Sequence, residues 1–281
     1  MIQSRIKYYT LLVGIILEAI VLLGAFTAIG GYKSYQPRPW ERFDPLWVAK
    51  IHSLQELLLE AEKRAGSFEK IDDERKMKAL SDIVIERFTH GRANHTLFTN
   101  WILWLAGKIN STLGAIWDPE IMLAKGHSLY CSQSSYVLMQ SALKAGIRAR
   151  HVGLNGHVVM EAWYDDDWHM YDPDAEVIPQ DANNRILSAD ELAKTPVILA
   201  NAYSGIKTKF ISFIASRQDN TYVSYPVGAY FEWKSQVLLY VEKMMQVLKY
   251  LLPLLFIGFG LIPTQKKTKA SNKKDKTEYK K

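Results

Sequence analysis

The sequence predicts an α+β fold flanked by N- and C-terminal transmembrane helices, and three observations carry that reading. Apolar residues recur at helical spacing from about residue 45 to 112. From residue 131 the pattern changes to one helix followed by three short alternating runs, the mark of a small antiparallel sheet. An apolar run lies near each end of the 281-residue chain.

Taken in order, residues 8–31 are almost wholly apolar, with Glu18 the sole charge and Arg5 and Lys7 just before them. About 20 apolar residues cross the hydrocarbon core as a helix. A cleaved signal peptide is the rival reading, with Ala28-Ile29-Gly30 as its cleavage site. A signal peptide's apolar stretch runs only about 7–15 residues, which favours an uncleaved anchor. Residues 244–263 form a second candidate span, reached only by including Lys249, whose stem can snorkel to the interface. The competing reading is a buried or interfacial helix.

Net charge is +6, and the tail from Lys266 holds eight lysines against Asp275 and Glu278, which is the whole excess. The body is therefore near neutral, which argues against a nucleic-acid partner. A basic flank beside an apolar helix belongs on the cytoplasmic side. Both termini are thus expected in the cytoplasm, at the plasma (inner) membrane, with residues of about 33–240 outside it.

Within the head, Trp47, Ile51, Leu54 and Leu58 share a helical spacing that Gly66 stops. Residues 72–89 predict a second helix with Met77, Leu80, Ile83, Val84 and Phe88 on one face. Residues 97–109 predict a third, whose Trp101, Trp104 and Leu105 are expected in the core, with membrane-surface contact as the alternative. Residues 132–145 predict the helix after Cys131, closed by Gly146. Strands are expected at residues 147–153, 157–164 and 168–172, the last two joined by Asp165-Asp166-Asp167 as a tight turn.

Cys131 is the chain's single cysteine, so no intrachain disulfide can form. A lone cysteine is ordinarily an inert buried hydrophobe. Its setting argues otherwise, because a loop delivers it to a helix N-terminus, where partial positive charge favours thiolate. A nucleophilic thiol needs a base, and the base needs an orienting acceptor. His157 opens one predicted strand and Asp172 closes the next. In a hairpin those two ends are neighbours, so both side chains are expected at one sheet edge beside the sulfur. His127 lies four residues before the cysteine on a loop, a poor place to fix a base. His151 and His169 read as structural or surface residues, and Asp174 as weaker than Asp172 because it lies beyond Pro173. Glu161 shares the His157 face and is expected to bond nearby backbone.

Four ordered blocks then carry a resemblance. These are residues 126–132 around Cys131, Ala145-Gly146-Ile147-Arg148-Ala149-Arg150, Gly156-His157 through Glu161-Ala162-Trp163, and Trp168 through Asp172-Pro173. Together they resemble the transglutaminase-like (papain-like cysteine) superfamily over about residues 115–175. The Cys131-to-His157 spacing is shorter than in many relatives and suggests a compact bacterial-type version. The resemblance implies a nucleophile helix packed on a small antiparallel sheet, with Cys131 as nucleophile, His157 as base and Asp172 as orienter. It implies thiol acyl transfer, as an amidase, peptidase or transglutaminase, on protein or cell-envelope peptide substrates. No cofactor and no metal are implied. The domain plan is a helical region at 33–112, a core at 113–235 and a basic cytoplasmic tail at 264–281. A catalytically idle scaffold or binding module of an envelope or polysaccharide-assembly complex is the alternative.

Overall fold

The computed structural model describes residues 2–25, 37–154, 156–215 and 230–263. The expected basic tail, the end of the first apolar run beyond residue 25 and residues 216–229 of the predicted core lie outside the described residues. The chain divides into two compact units, residues 1–19 with 250–281 and residues 20–249.

The first unit holds the outer parts of two long helices, α1 (Ile2–Ala25) and α12 (Tyr230–Leu261). Segments Ser4–Gly24 and Val237–Leu261 are long and apolar enough to cross a membrane. The second run is thus longer than its apolar core suggested, one helix continuing through Pro253. Within the unit the helices run antiparallel. The Lys7 ammonium donates to the Ile262 carbonyl at 2.8 Å, and a Cβ on Gly14 would stand 2.8 Å from the Pro253 carbonyl oxygen. Only a residue without a side chain admits that approach.

The second unit is a mixture of helices and small sheets. The apolar periodicity from Trp47 to Leu58 resolves into two helices, α2 (Pro45–Val48) and α3 (Leu54–Ala65). The break has a local cause: the Ser53 side chain accepts from the Glu56 amide as the N-cap of α3. Helix α4 (Asp73–Arg87) is capped by Asp72 and buries Met77, Leu80, Ile83 and Val84. The two-residue strand β1 (Thr89–His90) follows it. Helix α5 (Leu97–Ile109) bends at Asn100 and is followed by the short helices α6 (Ser111–Gly114) and α7 (Pro119–Lys125).

The tryptophan face of α5 is not core. Trp101 and Trp104 are half-buried, Leu105 is 54% exposed and Ile109 89% exposed. Trp101 instead donates its indole N–H to the Lys249 carbonyl, and the Lys249 ammonium donates to the Thr99 carbonyl. Helical spacing marks an apolar face but does not say what that face meets.

Strand β2 (Ser128–Leu129) pairs parallel with β1, His90 opposite Leu129. Helix α8 (Cys131–Lys144) comes next, and Gly146 follows with φ 84°. Strands β3 (Arg148–Leu154), β4 (His157–Tyr164) and β5 (Asp167–Tyr171) form an antiparallel sheet in the order 3-4-5. Asp165 and Asp166 both take positive φ, 49° and 60°, which fits a primed two-residue hairpin turn. One core cluster joins α3, α4 and α8 to Ala149, Met160, Ala162 and Tyr164 of the sheet. Another covers Val152, Val159 and Met170 with α9 (Ala189–Ala193), α10 (Pro196–Ala202), a 3-10 turn at Gly205–Phe210 and α11 (Ile211–Ala215).

Candidate functional site

Cys131 is half-buried as the first residue of α8. Gln133, in the same turn, holds the segments around the cysteine. Its carboxamide oxygen accepts from the Ala93 and Tyr130 amides, and its nitrogen donates to the Ala93 and Ile116 carbonyls. The loop before β2 is tied further by Arg87, buried, which donates to the carbonyls of Ile51, Leu123 and Gly126 at 2.6–3.0 Å. A buried guanidinium with several main-chain acceptors is a strong clamp, since its charge-assisted bonds have no solvent competitor.

His157 begins β4, 3% exposed, and its Nε2 lies 2.8 Å from Oδ2 of Asp172. Cys131 is the other side chain that acts on this imidazole. With Nε2 engaged by the carboxylate, Nδ1 is the nitrogen left for the sulfur. The three residues singled out in the sequence therefore meet. Asp172 stands one residue past β5, bridged through its main chain to Val177. Its carboxylate also accepts from the Ala175 amide at 3.0 Å and from the Tyr203 hydroxyl at 2.8 Å. Such a carboxylate is fixed in place by its donors.

Burial opposes a charge on His157, but the Asp172 carboxylate, followed by Cys131, outweighs it and raises the imidazole pKa well above its ordinary value. The ring is covered by Phe210 and Phe213, with centroids at 4.9 and 6.1 Å. Gly156, at φ 105°, leads into it, and a Cβ there would come within 2.8 Å of the Phe213 ring. The Gly-His pair is thus a packing requirement as well as a turn.

The other histidines separate clearly. His151 is fully buried on β3 and burial lowers its pKa to about 3, so it is neutral. His169 is buried too, its ring nitrogens 2.7 and 3.1 Å from the Ile186 and Tyr164 carbonyl oxygens. Neither is a surface residue. His127 has its pKa lowered by burial and then by Arg87. Glu161 pairs with Arg150 at 2.6 Å and accepts from the Ala189 amide at the start of α9, a structural role.

Several residues around the site carry no local sequence signal. Tyr203 lies 31 residues beyond its partner Asp172. His90 precedes its partner Asp174 by 84 residues, with Nδ1 2.6 Å from Oδ1. Only the Asp-Pro-Asp spacing hinted at a second carboxylate nearby. Chemically, the set combines a thiol, an imidazole held between sulfur and carboxylate, and helix-terminal amides. Among the described residues no cluster of metal-binding side chains occurs.

No family model and no curated protein matches the chain. A solved structure described as the crystal structure of a TGase matches it at 20% identity, over 48% of this chain and 33% of that one, with a TM-score of 0.31. The match spans about a third of the solved chain. At that score the likeness is a distant one and bears no weight on the site.

Proposed function

We propose that this chain is a membrane-anchored thiol acyl-transfer enzyme of transglutaminase-like type, its papain-like core facing out of the cytoplasm. The observation that supports this most directly is His157 hydrogen-bonded to the buried Asp172 and acted on by Cys131, which opens a helix. In the reaction, the Cys131 sulfur attacks an amide carbonyl, forming a C–S bond. Imidazolium His157 protonates the leaving amine as the C–N bond breaks. Water or an amine then resolves the thioester and thiolate is released. Asp172 holds the ring and stabilises its charge. The Cys131 main-chain amide supplies one donor to the tetrahedral oxyanion.

Two candidate spans support membrane anchoring. The positively charged flanks, Arg5 and Lys7 before the first and the lysine-rich stretch after the second, support cytoplasmic termini. Substrates are then protein or envelope peptides outside the membrane.

The test uses the full chain in detergent micelles. Iodoacetamide alkylation of Cys131 at about pH 7 is expected to slow at least about tenfold in His157→Ala, and amide turnover to vanish in Cys131→Ala. As pH rises through the raised His157 pKa, the imidazolium partner is lost and the wild-type advantage should shrink. Turnover that persists in Cys131→Ala would overturn the mechanism. Equal labelling with no amide turnover in the wild type would favour the idle scaffold.

A further inference from the structure

A second histidine–carboxylate pair stands beside the first. His90 ends β1 and is registered opposite Leu129, two residues before Cys131. Its ring stacks obliquely on Tyr130, centroids 5.5 Å apart, and Tyr130 immediately precedes the cysteine. Its Nδ1 is 2.6 Å from Oδ1 of Asp174, a carboxylate 4% exposed and two residues beyond Asp172. The His90 amide donates to Oε1 of Glu41, which fixes the main chain under the ring. Arg38 approaches the other Asp174 oxygen at 3.5 Å and donates to its main-chain carbonyl. Unlike His157, the His90 side chain is 30% exposed. With Nδ1–H donated to Asp174, Nε2 is the ring nitrogen left to exchange a proton. Asp174 is built as an ion. Burial disfavours its charge, but His90, Arg38 and His157 outweigh that and lower its pKa.

We propose that His90, positioned by Asp174, is a second acid–base residue that takes a proton from the nucleophile resolving the acyl-enzyme. This rests on the thiol acyl-transfer reading above. The proton count gives the pair a task. After acylation His157 is neutral and can accept one proton, which is enough when water attacks. A primary amine arrives as an ammonium ion and must lose two. Nε2 of His90 takes the first, leaving a neutral amine and an imidazolium paired with Asp174. The amine nitrogen then bonds the thioester carbon, His157 takes the second proton, and the C–S bond breaks to release thiolate. That restores the thiolate–imidazolium pair, and His90 returns its proton to solvent.

The experiment acylates the full-length enzyme in micelles with p-nitrophenyl acetate and measures how the acyl-enzyme partitions between water and added glycine ethyl ester. The partition ratio does not depend on how fast the acyl-enzyme forms, so a general loss of folded protein leaves it unmoved. In His90→Gln the aminolysis-to-hydrolysis ratio should fall at least about tenfold, the low side of what a placed base contributes. Asp174→Asn should lower it in the same direction by less. A ratio equal to wild type in His90→Gln overturns the role of His90 while leaving the thiol chemistry standing. A wild type that forms no acyl-enzyme overturns both.

Discussion

Asp172 and Asp174 stand two residues apart, on either side of Pro173, and serve different histidines. Their settings differ in kind. Asp172 is surrounded by neutral donors, the Tyr203 hydroxyl and the Ala175 amide, besides its imidazole. Asp174 is held by His90 and Arg38, two cationic or ionisable partners. A carboxylate whose folded pKa is lowered stabilises the fold above its unfolded pKa of about 3.9 and ceases to as pH falls through the folded value. Asp174→Asn is therefore expected to lower the melting temperature near pH 7, with the gap to wild type closing below about pH 4. Thermal scans across that range check it. The sequence made the first of these carboxylates legible, because a strand-ending aspartate opposite a strand-opening histidine is a local pattern. The second was not legible as a histidine partner, since its histidine lies on a different sheet.

At the scale of elements, α8 does more than present a sulfur. Gln133 ties its first turn to residues 93, 116 and 130, and Ser135 donates to the Val158 carbonyl on β4. Gln133→Leu would keep the volume and strand several buried main-chain groups, each unmet group costing roughly 1–3 kcal/mol. A loss of about 3 kcal/mol in stability is expected, measured by denaturant unfolding, together with slower Cys131 alkylation. Residues 132–145 were readable as a helix from apolar spacing and from Gly146, and it begins one residue earlier, at Cys131 itself. The polar work of Gln133 was not readable. A glutamine early in a helix is ordinary, and only the tertiary fold brings Ala93 and Ile116 to it.

Across the whole chain, one of the two helices long enough to cross a membrane also makes buried polar contacts. Glu242 lies within the candidate span Val237–Leu261 and is 1% exposed. It accepts from the Trp117 and Asp118 amides at 2.7 and 2.8 Å, and its Oε1 meets His95 Nε2 at 2.7 Å. A buried carboxylate with three partners latches this helix to the segment between α6 and α7. Glu242→Leu leaves two amides and an imidazole without their acceptor, so a loss of about 3–5 kcal/mol is expected. Limited proteolysis in micelles should then cut faster than in wild type at residues 114–117, which are buried. Sensitivity equal to wild type would mean the latch is dispensable.

By itself the sequence determined what short-range chemistry determines. That comprises the two apolar runs, the helices with a buried face, the hairpin with its aspartate turn, and the candidate trio Cys131, His157 and Asp172. Each of these rests on side-chain periodicity or on residues within one helix and hairpin. Tertiary structure alone decided which apolar faces became core, since Trp101 of α5 found Lys249 rather than an interior. It also decided which polar residues met across long stretches of chain: His90 with Asp174, Tyr203 with Asp172, and His95 with Glu242. A buried polar group is stable only where the fold brings it a partner, and a partner 31 to 147 residues away leaves no trace in local spacing.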